Sequence, residues 1–151
     1  MATLNEQNSY DVIGTASTAA TLTTAYTGNR TSAIHAKYMP NLHLDIQYTP
    51  AEGQTNRFAY ILIEASNDNG TTYFPIVAKS TGTTEIDLFI DDTDGNAGIP
   101  MIFPGDKTST GAVVYRGAAE ATVVAELLRI SAKESGAGNF GTIYVRATLK
   151  S

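Results

Sequence analysis

Between residues 58 and 78 the chain reads Phe-Ala-Tyr-Ile-Leu-Ile-Glu-Ala-Ser-Asn-Asp-Asn-Gly-Thr-Thr-Tyr-Phe-Pro-Ile-Val-Ala, two β-prone, largely apolar runs on either side of Asn69-Gly70. An Asn-Gly pair readily takes the positive φ angles of the tight turns that join antiparallel strands. The stretch therefore predicts a two-residue hairpin and commits the chain to β structure. In its first arm Ala59, Ile61, Ile63 and Ala65 share one face and Tyr60, Leu62 and Glu64 the other. A strand apolar on both faces belongs deep in a sandwich or under a partner. Pro75, in the returning arm, has no N–H for a ladder and is expected at a sheet edge or a bulge.

Alternation of period two recurs along the chain. Leu42, Leu44, Ile46 and Tyr48 point one way against His43, Asp45 and Gln47; Ile86, Leu88 and Ile90 alternate with Glu85, Asp87 and Phe89; Ile143, Val145, Ala147 and Leu149 alternate with Tyr144, Arg146, Thr148 and Lys150. Each reads as a strand with a buried and a wetter face. Residues 118–130 are ambiguous, because Ala and Leu suit a helix while Val123, Val124 and Ile130 suit a strand. The clean alternation of Leu128, Ile130 and Ala132 favours a strand over 123–134, with a short helix before it as the alternative. Across the glycine-laced stretch 135–141 this strand is expected to form a second hairpin with the last one. Residues 1–32, rich in Thr, Ala, Ser and Asn, read as an extended N-terminal arm with one or two strands. About eight strands result: a single all-β domain over residues 33–151, a β-sandwich or jelly roll, preceded by the arm.

Composition bounds the function. At 151 residues, 42% hydrophobic and 17% charged, the chain has the size and apolar content of one folded domain. It contains no cysteine, which removes disulfides, thiolate nucleophiles and Cys-based zinc sites together. The net charge is −5 and the ten basic residues are dispersed, whereas a nucleic-acid binder needs a concentrated cationic face. The N-terminus lacks the pattern of a secretory signal and no apolar run reaches membrane-spanning length. The expectation is a cytoplasmic product with no nucleic-acid and no membrane partner.

Candidate sites are sparse. Asp92, Asp94 and Asn96 place oxygen ligands at alternate positions, but the twelve-residue calcium loop requires glycine and glutamate where Ala97 and Phe103 stand. His43 and Asp45 share a strand face, an arrangement that orients an imidazole as a base, yet no nucleophile motif accompanies them. Glu64, Glu85, Asp87, Glu120 and Glu126 are ordinary carboxylates of a β surface unless two of them face each other across a cleft. Asn29 and Asn69 head N-glycosylation patterns. Tyr60, Tyr73, Tyr115 and Tyr144 lie on expected strands, where tyrosine serves an interface or a core rim. No catalytic, cofactor or metal residues are assigned, and the chain is not expected to be an enzyme.

The segments Ile63-Glu-Ala-Ser-Asn-Asp-Asn-Gly-Thr-Thr-Tyr73 and Leu128-Arg-Ile-Ser-Ala-Lys-Glu-Ser-Gly136, the latter leading into Gly141-Thr-Ile-Tyr-Val-Arg-Ala-Thr-Leu149, in a Thr-, Gly- and Asn-rich, cysteine-free chain, resemble the small β-sandwich virion proteins of tailed bacteriophages, head decoration (cement) proteins above all. The Ala-rich stretch before residue 123 departs from that pattern. The resemblance implies a structural protein on the capsid surface, with the major capsid protein as partner and a homotrimer as assembly. A carbohydrate-binding β-sandwich and a tail or neck protein are the alternatives, and the absence of tryptophan counts against the first.

Overall fold

The computed structural model describes residues 7–51, 59–79, 81–89, 99–100, 114–135 and 139–151. The strands among them are β1 (Gln7–Ile13), β2 (Ala20–Thr21), β3 (Ile34–His35), β4 (Asn41–Thr49), β5 (Ala59–Ser66), β6 (Phe74–Pro75), β7 (Glu85–Phe89), β8 (Ile99–Pro100), β9 (Tyr115–Thr122), β10 (Leu127–Glu134) and β11 (Thr142–Lys150). They form two sheets packed as a sandwich. One runs β1-β11-β4-β9, with β2 beside β11; the other runs β3-β10-β5-β7-β8, with β6 beside β5. Every pairing is antiparallel except the short parallel contact of β7 with β8. The all-β sandwich expected from the sequence is the fold observed.

The alternating residues supply the core. Leu42, Leu44, Ile46 and Tyr48 of β4 and Ile143, Val145, Ala147 and Leu149 of β11 meet Ala59, Ile61 and Ile63 of β5, Ile86 and Leu88 of β7, and Leu128, Ile130 and Ala132 of β10, none more than 2% exposed. Burying one such Leu or Ile contributes roughly 1.5–3 kcal/mol, so these strands carry most of the stability. Of the segment expected to be an arm, residues 7–32 reach into the same core: β1 pairs along β11, and Val12, Ile13 and Leu22 are buried with it.

Three local expectations require correction. Asn69 and Gly70 do take positive φ, +57° and +83°, and Thr71 N donates to Asp68 O at 3.3 Å. The turn is nevertheless the tip of a wider loop and not a two-residue hairpin, because pairing resumes only at Ala65 with Phe74 and Glu64 with Pro75. Side chains take over the ladder's work. Ser66 Oγ accepts from Gly70 N at 3.0 Å, and Asp68 accepts from Ser66 Oγ, Thr72 N and Thr72 Oγ1 at 2.8, 2.8 and 2.5 Å. Pro75 then ends the return strand at an exposed edge position, as a residue without an N–H must.

The second expected hairpin does not form. β10 pairs with β5 over eight positions and β11 with β4 over nine, so the two strands lie in opposite sheets and the chain between them arches across one end of the sandwich. Each of them is flanked by strands on both sides within its own sheet, which leaves no edge at which they meet. The arch is tied by a buried carboxylate. Glu134, 1% exposed, accepts from the Tyr48 hydroxyl at 2.5 Å and from Gly141 N at 2.8 Å. Gly141 is required there, since a Cβ would lie 2.4 Å from Thr49 O.

The helix alternative before residue 123 is also excluded. Residues 115–122 form β9, with Ala119 opposite Leu44 and Ala121 opposite Leu42; these two small residues are buried while their neighbours on the strand are exposed. The strand expected from residue 123 begins at Leu127, because 123–126 cross from one sheet to the other.

Candidate functional site

Two inter-sheet crossings, residues 36–40 between β3 and β4 and residues 123–126 between β9 and β10, lie side by side at one end of the sandwich. Backbone bonds join them: Val123 N donates to Pro40 O at 2.7 Å and Ala36 N to Glu126 O at 2.8 Å. Asn67, at the end of β5, braces the second crossing, accepting from Glu126 N at 3.1 Å. Between them opens a shallow cleft of about 390 Å³. Ala36, Met39 and Val123 form its buried floor, and Tyr38 and Val124 stand at its rim, 83% and 81% exposed.

Tyr38 is held at φ +68°, within a turn in which Met39 N donates to Ala36 O at 3.0 Å. The left-handed conformation costs an L-residue about 1–2 kcal/mol, and here it directs an aromatic ring into solvent, with Lys37 Nζ 5.3 Å from its centroid. Neither residue stood out in the sequence. The Pro40 that follows marks a turn, but nothing local marks a tyrosine held at positive φ.

The outer face of the β4-bearing sheet brings His43 and Asp45 together, with Nε2 3.1 Å from Asp45 Oδ1, and adds Glu120 from β9 at 3.9 Å from Nδ1. Both imidazole nitrogens face carboxylates that are well exposed. The group is a charge network on a wet face, beside Lys79 and Lys150, which line the same shallow depression.

On the outer face of the other sheet two of the expected carboxylates, Glu64 and Glu85, are held by cations. Glu64 receives Arg129 in a bidentate contact, Nε at 2.8 Å and Nη2 at 3.2 Å, and Arg129 stacks on the Tyr73 ring at 3.8 Å. Glu85 pairs with Lys133 at 3.3 Å and accepts from the Tyr26 hydroxyl. Asp87 lies beside them, and burial together with the Glu85 charge raises its pKa. Burial and the charge of Asp87 likewise push the Tyr60 hydroxyl up. Ser131, on the face of β10 opposite Ile130 and Ala132, is fully buried because Arg30 lies over it, Nε donating to Oγ at 3.0 Å. Glu126 belongs to the cleft. Tyr144 donates to Asp11 at 2.6 Å. The acidic segment at Asp92, Asp94 and Asn96 lies outside the described residues; among those described, no three His, Asp or Glu side chains converge as metal ligands.

The fold and this end cleft define an all-β sandwich with an exposed apolar tip. Comparison with protein-family models, with curated proteins and with solved structures returned no significant match.

Proposed function

We propose that this chain is a non-enzymatic structural protein of a virion, a decoration protein that binds the lattice of a major capsid protein as a homo-oligomer. The supporting observation is Tyr38. The turn closed by Met39 N on Ala36 O needs a positive φ at its third residue, a place for glycine; a tyrosine stands there instead, strained and with its ring 83% exposed, and such an outlier is characteristic of binding surfaces. With Val124 it forms an apolar rim over a shallow cleft, a shape suited to docking against another protein, where tyrosine is enriched.

The test is co-sedimentation with shells assembled from the capsid protein encoded beside its gene. The parent should bind saturably. The double variant Tyr38→Ala, Val124→Asp should bind at least tenfold more weakly while retaining its β-sheet circular dichroism. Equal binding by the two proteins would remove the tip from the interface, and no binding by the parent would remove the capsid reading.

A further inference from the structure

We infer that β1 is a self-pairing edge: two copies of this chain join antiparallel along Gln7–Asp11, about a two-fold axis passing beside Ser9. An exposed strand edge presents a row of unpaired N–H and C=O groups and is a template for another strand. The margin at β10 is lined along its length, and that at β9 is met at Glu120 and Ala121. The free side of β10 is lined by residues 23–35, through β3, Thr31 N to Ile130 O at 2.9 Å, Ala132 N to Asn29 O at 2.9 Å and Glu134 N to Thr23 O at 2.9 Å. The free side of β9 receives Lys79 N on Glu120 O at 2.7 Å and a bridge between Ala78 and Ala121. Along β1, one side pairs with β11, and the backbone on the other side has no partner among the described residues.

Nor does β1 carry the devices that keep edges apart. It has no lysine, arginine or proline, and its register is regular from Gln7 to Asp11, with the irregularity falling only between Asp11 and Ile13. Its one charged side chain is turned onto its own sheet, Asp11 Oδ1 accepting from Tyr144.

The occupant that fits is a second copy. Antiparallel pairing centred on Ser9 sets Gln7 opposite Asp11 and Asn8 opposite Tyr10, so that no charge meets a like charge and each cross-strand pair combines groups able to hydrogen-bond. The four-strand path β1-β11-β4-β9 then continues through the axis into its copy. A two-fold contact is isologous and gives an even-numbered assembly, unlike the trimer that the resemblance implies, and it does not depend on capsid binding.

Light scattering on the full chain at 10–200 μM (roughly the range in which weak dimers form) should give twice the 16.0 kDa of one chain. Ser9→Lys and Ser9→Glu place like charges opposite each other at the axis. Each alone should weaken association at least tenfold with cooperative unfolding retained, and mixing the two should restore the double mass. Amide exchange in residues 7–11 should slow with concentration in the parent and not in either variant. A single-copy or three-copy mass for the parent, or an unchanged mass in both variants, would overturn the pairing.

Discussion

Tyr38 and Gly70 share a positive φ and differ in what that angle costs. At Gly70 it closes a turn within a hydrogen-bonded loop, and a Cβ there would lie 3.2 Å from Tyr73 Oη and 3.6 Å from Leu127 Cδ1. Gly70→Val should therefore lower stability by about 1–3 kcal/mol in a denaturant titration, and Gly70→Ala by less. The strand register should survive, since β5 is held by eight pairs with β10 and four with β7 rather than by the turn. At Tyr38 the angle closes the turn from Ala36 to Met39, which glycine would close without strain, and the exposed ring adds nothing to the core. Tyr38→Gly should raise the unfolding free energy by about 1 kcal/mol, the strain relieved less the extra freedom of the unfolded chain, while weakening whatever the tip binds. A gain in stability together with a loss of binding is the combination expected of a functional residue.

At the scale of elements, the arch between β10 and β11 depends on Glu134. Its carboxylate satisfies the Tyr48 hydroxyl in one sheet and Gly141 N where the chain enters β11. Glu134→Ala orphans the buried Gly141 N and removes one bond of the Tyr48 hydroxyl, so a loss of about 1–3 kcal/mol is expected in thermal or denaturant unfolding. The Asp68 loop behaves differently. Bonds from Thr72 and Ser66 hold its carboxyl down at about 2, from an ordinary 3.8. A depressed acid stabilises the folded form above its unfolded value and loses that contribution as pH falls from 3.8 towards 2.

Over the whole molecule the phenols set the alkaline limit. Tyr26 is raised by burial and then by its bond to Glu85, Tyr60 by burial and then by Asp87, and Tyr144 by its bond to Asp11 and then by burial. Above pH 10 the unfolded chain releases these protons while the folded chain keeps them. The unfolded state then binds fewer protons, and stability falls as pH rises. Melting temperature should decline steadily above pH 10, and Tyr26→Phe should flatten the decline. An unchanged slope in that variant would show that Tyr26 ionises freely in the fold.

The strands were legible from the amino-acid sequence because alternation is a local property: Leu42 to Tyr48 and Ile143 to Leu149 declare their buried faces without reference to any neighbour. Turn chemistry at Asn69-Gly70 was legible for the same reason. Which strands pair was not, because the glycines between β10 and β11 suit a hairpin and an arch equally, and the choice was made by the flanking strands β5 and β4. Ala119 and Ala121 became strand residues because pairing of β9 along β4 turns their small side chains into the core, against their own helical preference. The His43 charge network was half visible, as a period-two pair with Asp45, while Glu120 arrived from a strand more than seventy residues away. The tip at Tyr38 and Val124 and the edge of β1, unpaired among the described residues, belong to tertiary structure alone. Exposure is whatever the packing of all the other strands leaves uncovered, and no local stretch of sequence contains it.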